Sequence, residues 1–347
     1  MRATAFVPAL VVLVLLTACG QAAPAAAPPP ASAQPAAATA TPVPPTATPV
    51  PPAATPVPPA ATLPPPTATR PALPTLSGAG GGVIAFTSER KYNQDIFLMN
   101  ADGSEQTPLT TGFANESAPS WSPDGTQLAF QSGASGSRTA LRIVSVADGT
   151  VRPVPLDVRG DAWEVAWSHD GKRLAFSNMP GTSSDLCIVN PDGTGLQRLV
   201  SNGAINGSPV WSPDDQQIAF FSDRDGDMEV YVMDANGGNQ RRLTDSPGED
   251  VPTSWSPDGS WIAFQSNRDG SFEIYLVRPD GSGLTRLTDN EVDDLTPAWS
   301  PDGTKIAYSS GMGSGRDIYV MNADGTDIRQ LTDARGMDYY PVWRPVP

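Results

Sequence analysis

The sequence holds a single histidine, His169, and only two cysteines, Cys19 and Cys187, in 347 residues. One imidazole nearly excludes histidine-based catalysis. Two cysteines, one of them near the amino terminus, leave Cys187 without a partner, so no disulfide framework is available and stability must come from a large core. Charge is missing from a whole region. Between Gly20 and Pro74 there is no Asp, Glu or Lys and only Arg70, while 19 of the 38 prolines fall there. The remaining 271 residues, from Ser77 to Pro347, carry all 37 acidic and 20 of the 22 basic groups, a net of −17. A domain with that field repels phosphate, so nucleic acid and anionic membrane faces are not expected as partners.

Long apolar runs are also absent. Ala5 to Leu16 is too short to span a hydrocarbon core of about 30 Å as a helix. With Arg2 ahead of it and Leu16-Thr17-Ala18-Cys19 behind, the run reads as a signal peptide over residues 1–18. The four residues before Gly20 resemble the lipobox of bacterial lipoproteins. That resemblance implies lipidation of Cys19, cleavage before it and a membrane-anchored, extracytoplasmic protein at the cell surface or in the periplasm. Several acyl chains on one terminus hold durably where one would not.

Residues 19–76 follow as a tether. From Thr41 they repeat with period seven (TPVPPTA, TPVPPAA, TPVPPAA, TLPPPTA), and their composition offers too little apolar surface to offset ordering entropy. A disordered spacer of polyproline II character is expected.

Residues 77–347 are dominated by a repeat. Tryptophans stand at Trp121, Trp167, Trp211, Trp255, Trp299 and Trp343, and the last four intervals are each 44 residues. Five of them open a turn, as in Trp121-Ser122-Pro123-Asp124-Gly125, followed by a strand of the type Leu128-Ala129-Phe130. Proline presets the turn and glycine accepts the positive φ that closes it. A third strand is almost wholly apolar, as in Val230-Tyr231-Val232-Met233, which implies burial on both faces. An Ala-Asp-Gly turn then leads to a fourth strand ending in Leu-Thr. Four short strands per unit, six units, form the pattern of an all-β, six-bladed β-propeller. The domain opens near Val83 with strands two to four of a unit and ends at Trp343 with a first strand, so a three-plus-one closure is expected.

The W-S-P-D-G, I-A-F, S-x-R and D/E-I-Y-V-M series resembles the WD-like repeat of TolB-type propellers over about residues 83 to 343. The resemblance implies a non-catalytic protein- or peptide-binding module of the cell envelope. In that family the propeller binds an envelope lipoprotein and is preceded by an α/β domain; here a lipid anchor and tether are expected instead. Related propellers gate prolyl oligopeptidases, but no G-x-S-x-G occurs, and His169 reads as a turn substitution for proline. No cofactor is called for, and a monomer is expected. The alternative is a hydrolase or lyase of the calcium-propeller type, with an axial cation activating water.

Binding residues are sought where the chain enters each innermost strand. Five residues before each tryptophan stand Glu116, Ala162, Asn206, Asp250, Asp294 and Asp338. Like charges on a ring favour a cationic ligand, so an acidic funnel is expected at this mouth of the channel, with Trp163, Tyr339 and Tyr340 adding an aromatic contact. Three arginines, each five residues before an acid (Arg90 and Asp95, Arg224 and Glu229, Arg268 and Glu273), read as ion pairs bridging one hairpin. The stretch Asp223 to Glu229 superficially resembles a calcium loop but lacks its spacing. Cys187, in the place of Phe97, Tyr231, Tyr275 and Tyr319, reads as a small buried hydrophobe.

Overall fold

The computed structural model describes residues 82–90, 93–134 and 136–346. The signal segment 1–18, Cys19 and the tether to residue 76 lie outside them. Twenty-four strands form six four-stranded antiparallel sheets. Each blade is named here by its repeat tryptophan. The Trp255 blade is typical: Asp250–Trp255 is innermost, Ile262–Ser266 and Glu273–Val277 follow, and the two-residue Thr285–Arg286 lies outermost.

The Trp-Ser-Pro-Asp-Gly turn builds the first hairpin in this blade. Asp258 Oδ1 accepts from Ser256 Oγ (2.5 Å), Ser260 N–H (3.0 Å) and Ser260 Oγ (2.7 Å), while Gly259 takes φ 72°. Asp124, Asp214 and Asp302 repeat the arrangement. Each is held below the usual carboxylate range, first by the serine preceding it. In the Trp211 blade Asp215 stands where glycine stands elsewhere, and adopts φ 57°. Its carboxylate accepts from the backbone N–H of His169 and Asp170, in the turn of the preceding blade, at 2.8 and 2.7 Å. His169 itself is half exposed on that turn.

The second and third strands are buried on both faces, because each sheet is covered by its neighbours. Phe86, Phe130, Phe176, Phe220 and Phe264 are all wholly buried, each contributing about 1.5–3 kcal/mol of apolar burial. Four of the blades pair two rings across the second and third strands, with centroids 5.6 to 5.9 Å apart. In the Trp167 blade Cys187 lies opposite Phe176 instead, 2% exposed, and burial pushes its thiol up to about 11. The threonine of Leu-Thr has a structural task. Thr110, Thr244, Thr288 and Thr332 are buried, and each hydroxyl accepts the N–H of the second residue of the third strand.

Inner strands touch in sequence around the ring. The last blade joins Asp338–Trp343 to Val83–Ser88, Asp95–Asn100 and Thr107–Pro108, with Ile84 opposite Trp343 and Ser88 opposite Asp338. The three-plus-one closure is therefore present, and it leaves no unpaired edge on Val83–Ser88.

Candidate functional site

The first and third turns of every blade lie at one end of the ring, the turn end, and the longer connections lie at the other, the loop end. The six expected mouth residues sit at the loop end, but not as an open funnel. Asn206, Asp250, Asp294 and Asp338 are wholly buried, Ala162 is buried, and Glu116 is 9% exposed. Asn206 is held by Ser184 of the preceding blade and by Ser222 of its own.

The arginines expected to bridge hairpins reach the mouth residues of their own blades. Arg268 Nη2 lies 2.6 Å from Asp250 Oδ2, and Arg90 Nη2 lies 2.6 Å from Asp338 Oδ2. Arg224 donates to Asn206 Oδ1 and to Gln240. Strand register is the reason. Asp250 pairs with Ser266 and Asp338 with Ser88, so the arginine two residues beyond each serine folds back over its blade's innermost strand. The acids of the third strand take different partners, thirteen residues on: Asp185 with Arg198, Glu229 with Arg242, Glu273 with Arg286, and Asp317 with Gln330.

Three blades lack the arginine, having Ser132-Gly133-Ala134, Asn178-Met179-Pro180 and Ser310-Gly311-Met312 in its place, and two of them have an acid as mouth residue. Their carboxylates, Glu116 and Asp294, each keep one buried oxygen with no partner among the described residues. Burial raises both carboxyls above their ordinary range, opposed by hydrogen bonds from Thr110 to Glu116 and from Ser310, Asn290 and Thr288 to Asp294. Glu273, across the blade boundary from Asp294, adds to the shift and has its own orphaned Oε2.

Deeper in, the innermost strands bulge. Ala118, Glu164, Ser208, Thr296 and Tyr340 adopt φ from 47° to 54°, each two residues beyond a mouth residue. Such a bulge re-aims side chains. Several of these residues latch blade to blade: Glu164 N–H donates to Gln131, Thr296 N–H to Gln265, and Ser208 N–H to Glu164 Oε2 at 2.7 Å. Glu164, missed as a site residue by the sequence reading, also accepts from Ser177 and from the Ser208 hydroxyl. Its charge and, first, burial push the Tyr340 phenol up. Arg316 is 12% exposed, its Nε is unpartnered among the described residues, and burial draws its pKa down.

The aromatic contact expected of Trp163, Tyr339 and Tyr340 joins only the two tyrosines, with centroids 5.3 Å apart. Tyr339 is buried and donates to Glu89 Oε1 at 2.9 Å. Trp163 is partly buried, with an unpartnered Nε1. The calcium-like stretch is spent internally: Asp223 accepts Ile205 N–H, Asp225 accepts the Tyr231 hydroxyl, and Glu229 binds Thr244, Ser246 and Arg242.

At the turn end, all six repeat tryptophans line one cavity of about 220 Å³. They also bind the blades together. The indole N–H groups of Trp121, Trp211, Trp255 and Trp343 donate to the backbone carbonyls of Val342, Ala166, Val210 and Ala298 in the preceding blade.

Residues 164–310 match a family model described as the PD40 TolB beta propeller domain. The Tol-Pal system protein TolB of Anaeromyxobacter dehalogenans (strain 2CP-C) is 33% identical over 115 residues, 33% of this chain and 26% of that one. The chain thus aligns with about a quarter of that relative's length. The crystal structure of TolB from Acinetobacter baumannii superposes with a TM-score of 0.68 at 21% identity, covering 76% of this chain and 67% of that one. An oligogalacturonate lyase in complex with manganese shares the fold at a TM-score of 0.51 and 18% identity, covering 73% and 74%. Six complete blades and the recurring Trp-Ser-Pro-Asp turn make this chain a six-bladed β-propeller, similar over residues 164–310 to the TolB propeller domain.

Proposed function

We propose that the chain is a lipoprotein of the cell envelope, anchored through Cys19, whose propeller binds a protein or peptide partner at the loop end without catalysing a reaction. The observation that carries this reading is the loop entering the Trp121 blade. Phe113 there is fully exposed, and three residues on stands Glu116, whose buried Oε2 has no hydrogen-bond partner among the described residues. Met312, 65% exposed, stands at the same end in the blade of Asp294, the other mouth acid without the arginine. An apolar anchor beside an unneutralised acid suits a cationic segment that also carries an apolar side chain. Asp294 would serve such a ligand in the same way, with Trp163 and Tyr339 supporting the channel wall. The envelope address draws support from the name of the TolB relative and from the sequence before residue 20.

The test is affinity capture from envelope extract with the full chain, beside Phe113→Ser and Glu116→Gln variants of equal melting temperature. A partner held by the native protein and lost from both variants supports the reading, and identical capture by all three rejects it. Labelled palmitate incorporated by the native chain and not by Cys19→Ala tests the anchor. A bound metal in the purified protein with a calcium-dependent melting shift would instead favour the cation-dependent hydrolase or lyase.

A further inference from the structure

The turn end carries a second cavity, of about 600 Å³, between the Trp255 and Trp299 blades. Trp261, Trp299, Leu276 and Leu287 form its apolar part. Asp258, Asp302 and Asp324 complete it, and no Lys or Arg is among its lining residues. The size lies within the range typical of sites for small ligands.

One of its walls is a substitution within the repeat. Six residues beyond the repeat tryptophan stand Gln127, Arg173, Gln217 and Lys305 in four blades, and Trp261 in the fifth. Arg173 shows what belongs in the space beside the next tryptophan, because its guanidinium lies 4.4 Å from the ring centroid of Trp211 in the following blade. Arg344 does the same from another position, 5.6 Å from Trp121. Beside Trp299 the chain supplies no such cation. It supplies a cavity and a second indole, and Trp261 is itself a ring that accepts a guanidinium, since Arg278 lies 4.6 Å from its centroid without lining the cavity.

The carboxylates set the charge of what enters. Asp302 Oδ1 takes the hydrogen bonds of its turn from Ser300 and Thr304, and Asp324 Oδ1 those from Thr326. The Oδ2 of each makes no hydrogen bond among the described residues. The turn bonds hold Asp302 and Asp324 below the usual carboxylate range and Asp258 at about 2, so all three are anions at neutral pH. Arg278 occupies the Trp261 ring from outside the cavity, and no cation among the described residues lies over Trp299, so an indole face beside anions is left to select a delocalised organic cation over a neutral or anionic ligand.

We propose that this cleft is a guanidinium-binding site, filled by the arginine side chain of a partner peptide in the place that Arg173 takes beside Trp211. It is independent of the loop-end reading, and it lies at the opposite end of the ring.

The probe is N-acetyl-L-argininamide, titrated into the full chain while the indole N–H resonances are followed. The expected result is saturable shifts at Trp261 and Trp299. Trp261→Gln, the residue that Gln127 and Gln217 already place there, should weaken binding about fivefold or more. Asp302→Asn keeps the turn acceptor while removing the charge, and should weaken binding about threefold. It carries the test if Trp261→Gln melts early. Absence of saturation, equal binding by the uncharged N-acetyl-L-citrullinamide, or indifference to both variants overturns the proposal. Saturation by methyl β-glucoside in place of the arginine amide would also overturn it, making the cleft a carbohydrate site.

Discussion

Arg268 reaches across its blade to Asp250 with Nη2 and Oδ2 2.6 Å apart, and the carboxylate is wholly buried. The same bond joins Arg90 to Asp338 two blades on. These pairs neutralise two of the four mouth carboxylates internally. Removing one partner leaves the other charged and buried, which costs about 3–5 kcal/mol, whereas removing both is far milder. Arg268→Met should therefore lose stability of that order in urea denaturation. The double variant Arg268→Met with Asp250→Asn should recover most of it. Equal losses in the single and double variants would show that the arginine matters through its packing over Phe264 and Tyr275, 5.5 and 4.9 Å away, and not through charge.

Asp294 is, with Glu116, a mouth acid for which no arginine was supplied, and its behaviour with pH follows from that. Burial raises its carboxyl, so the folded protein binds the proton more tightly than the unfolded chain does. Such a group contributes stability that is fully present below its unfolded pKa and is lost as pH rises through the folded value. Asp294→Asn cannot suffer that loss. The variant should match the native protein near pH ~4 and exceed it by about 1–3 kcal/mol near pH ~7. The turn aspartates slope the other way, stabilising above their ordinary pKa, so only the difference between the two melting curves against pH isolates Asp294. A constant difference across that range would contradict the assignment.

The ring was legible because its determinants are local. Tryptophan, serine, proline, aspartate and glycine in one turn, repeated at 44 residues, define a hairpin wherever they occur, and Ile84 opposite Trp343 completes the count. The mouth residues were located correctly along the chain, but their surroundings were not. Whether Arg268 meets Glu273 or Asp250 depends on which serine lies opposite Asp250, a fact of register between strands sixteen residues apart. A signal existed for the other half. The spacing of thirteen from Asp185 to Arg198, Glu229 to Arg242 and Glu273 to Arg286 recurs plainly and marks a cross-strand pair. The cleft beside Trp299 was harder to see, because a cavity is a difference between neighbouring side chains and leaves no motif.

Two serines alter the tryptophan ring. Ser120 and Ser254 stand where Ala166, Val210, Ala298 and Val342 stand in the other blades, and their hydroxyls accept the backbone N–H of Trp167 and Trp299. In both following blades the indole then misses its usual carbonyl: Trp167 donates to Gly171 in its own turn, and Trp299 Nε1 is buried without a partner among the described residues. Ser254→Val removes the hydroxyl that accepts the backbone N–H of Trp299 and donates to the Pro297 carbonyl, and reproduces the environment that Val210 gives Trp255. It should let Trp299 donate to the residue 254 carbonyl, raising stability by about 1 kcal/mol and shifting the indole N–H resonance downfield. An unmoved resonance would mean that the backbone, and not the serine, sets the orientation of Trp299.

The last strand tests the closure on which both proposed sites depend. Asp338–Trp343 gives Val83–Ser88 its only innermost neighbour, carries the buried partner of Arg90, and packs Trp343 into the core with Ile84, Phe86 and Met99. Without it Arg90 still lies over Phe86 and Phe97, at 5.5 and 5.2 Å, but as an uncompensated cation beside an open edge. An edge of six buried residues with free N–H and C=O groups recruits other chains. A chain ending before Asp338 should therefore elute as large species and lose its cooperative melt. Asp338→Asn keeps the strand but halves the ion pair, so it should elute as the native chain does while losing stability, since the charge of Arg90 is left unmatched. Truncated protein that elutes and melts as the native chain does would show that the first and last strands do not share a sheet.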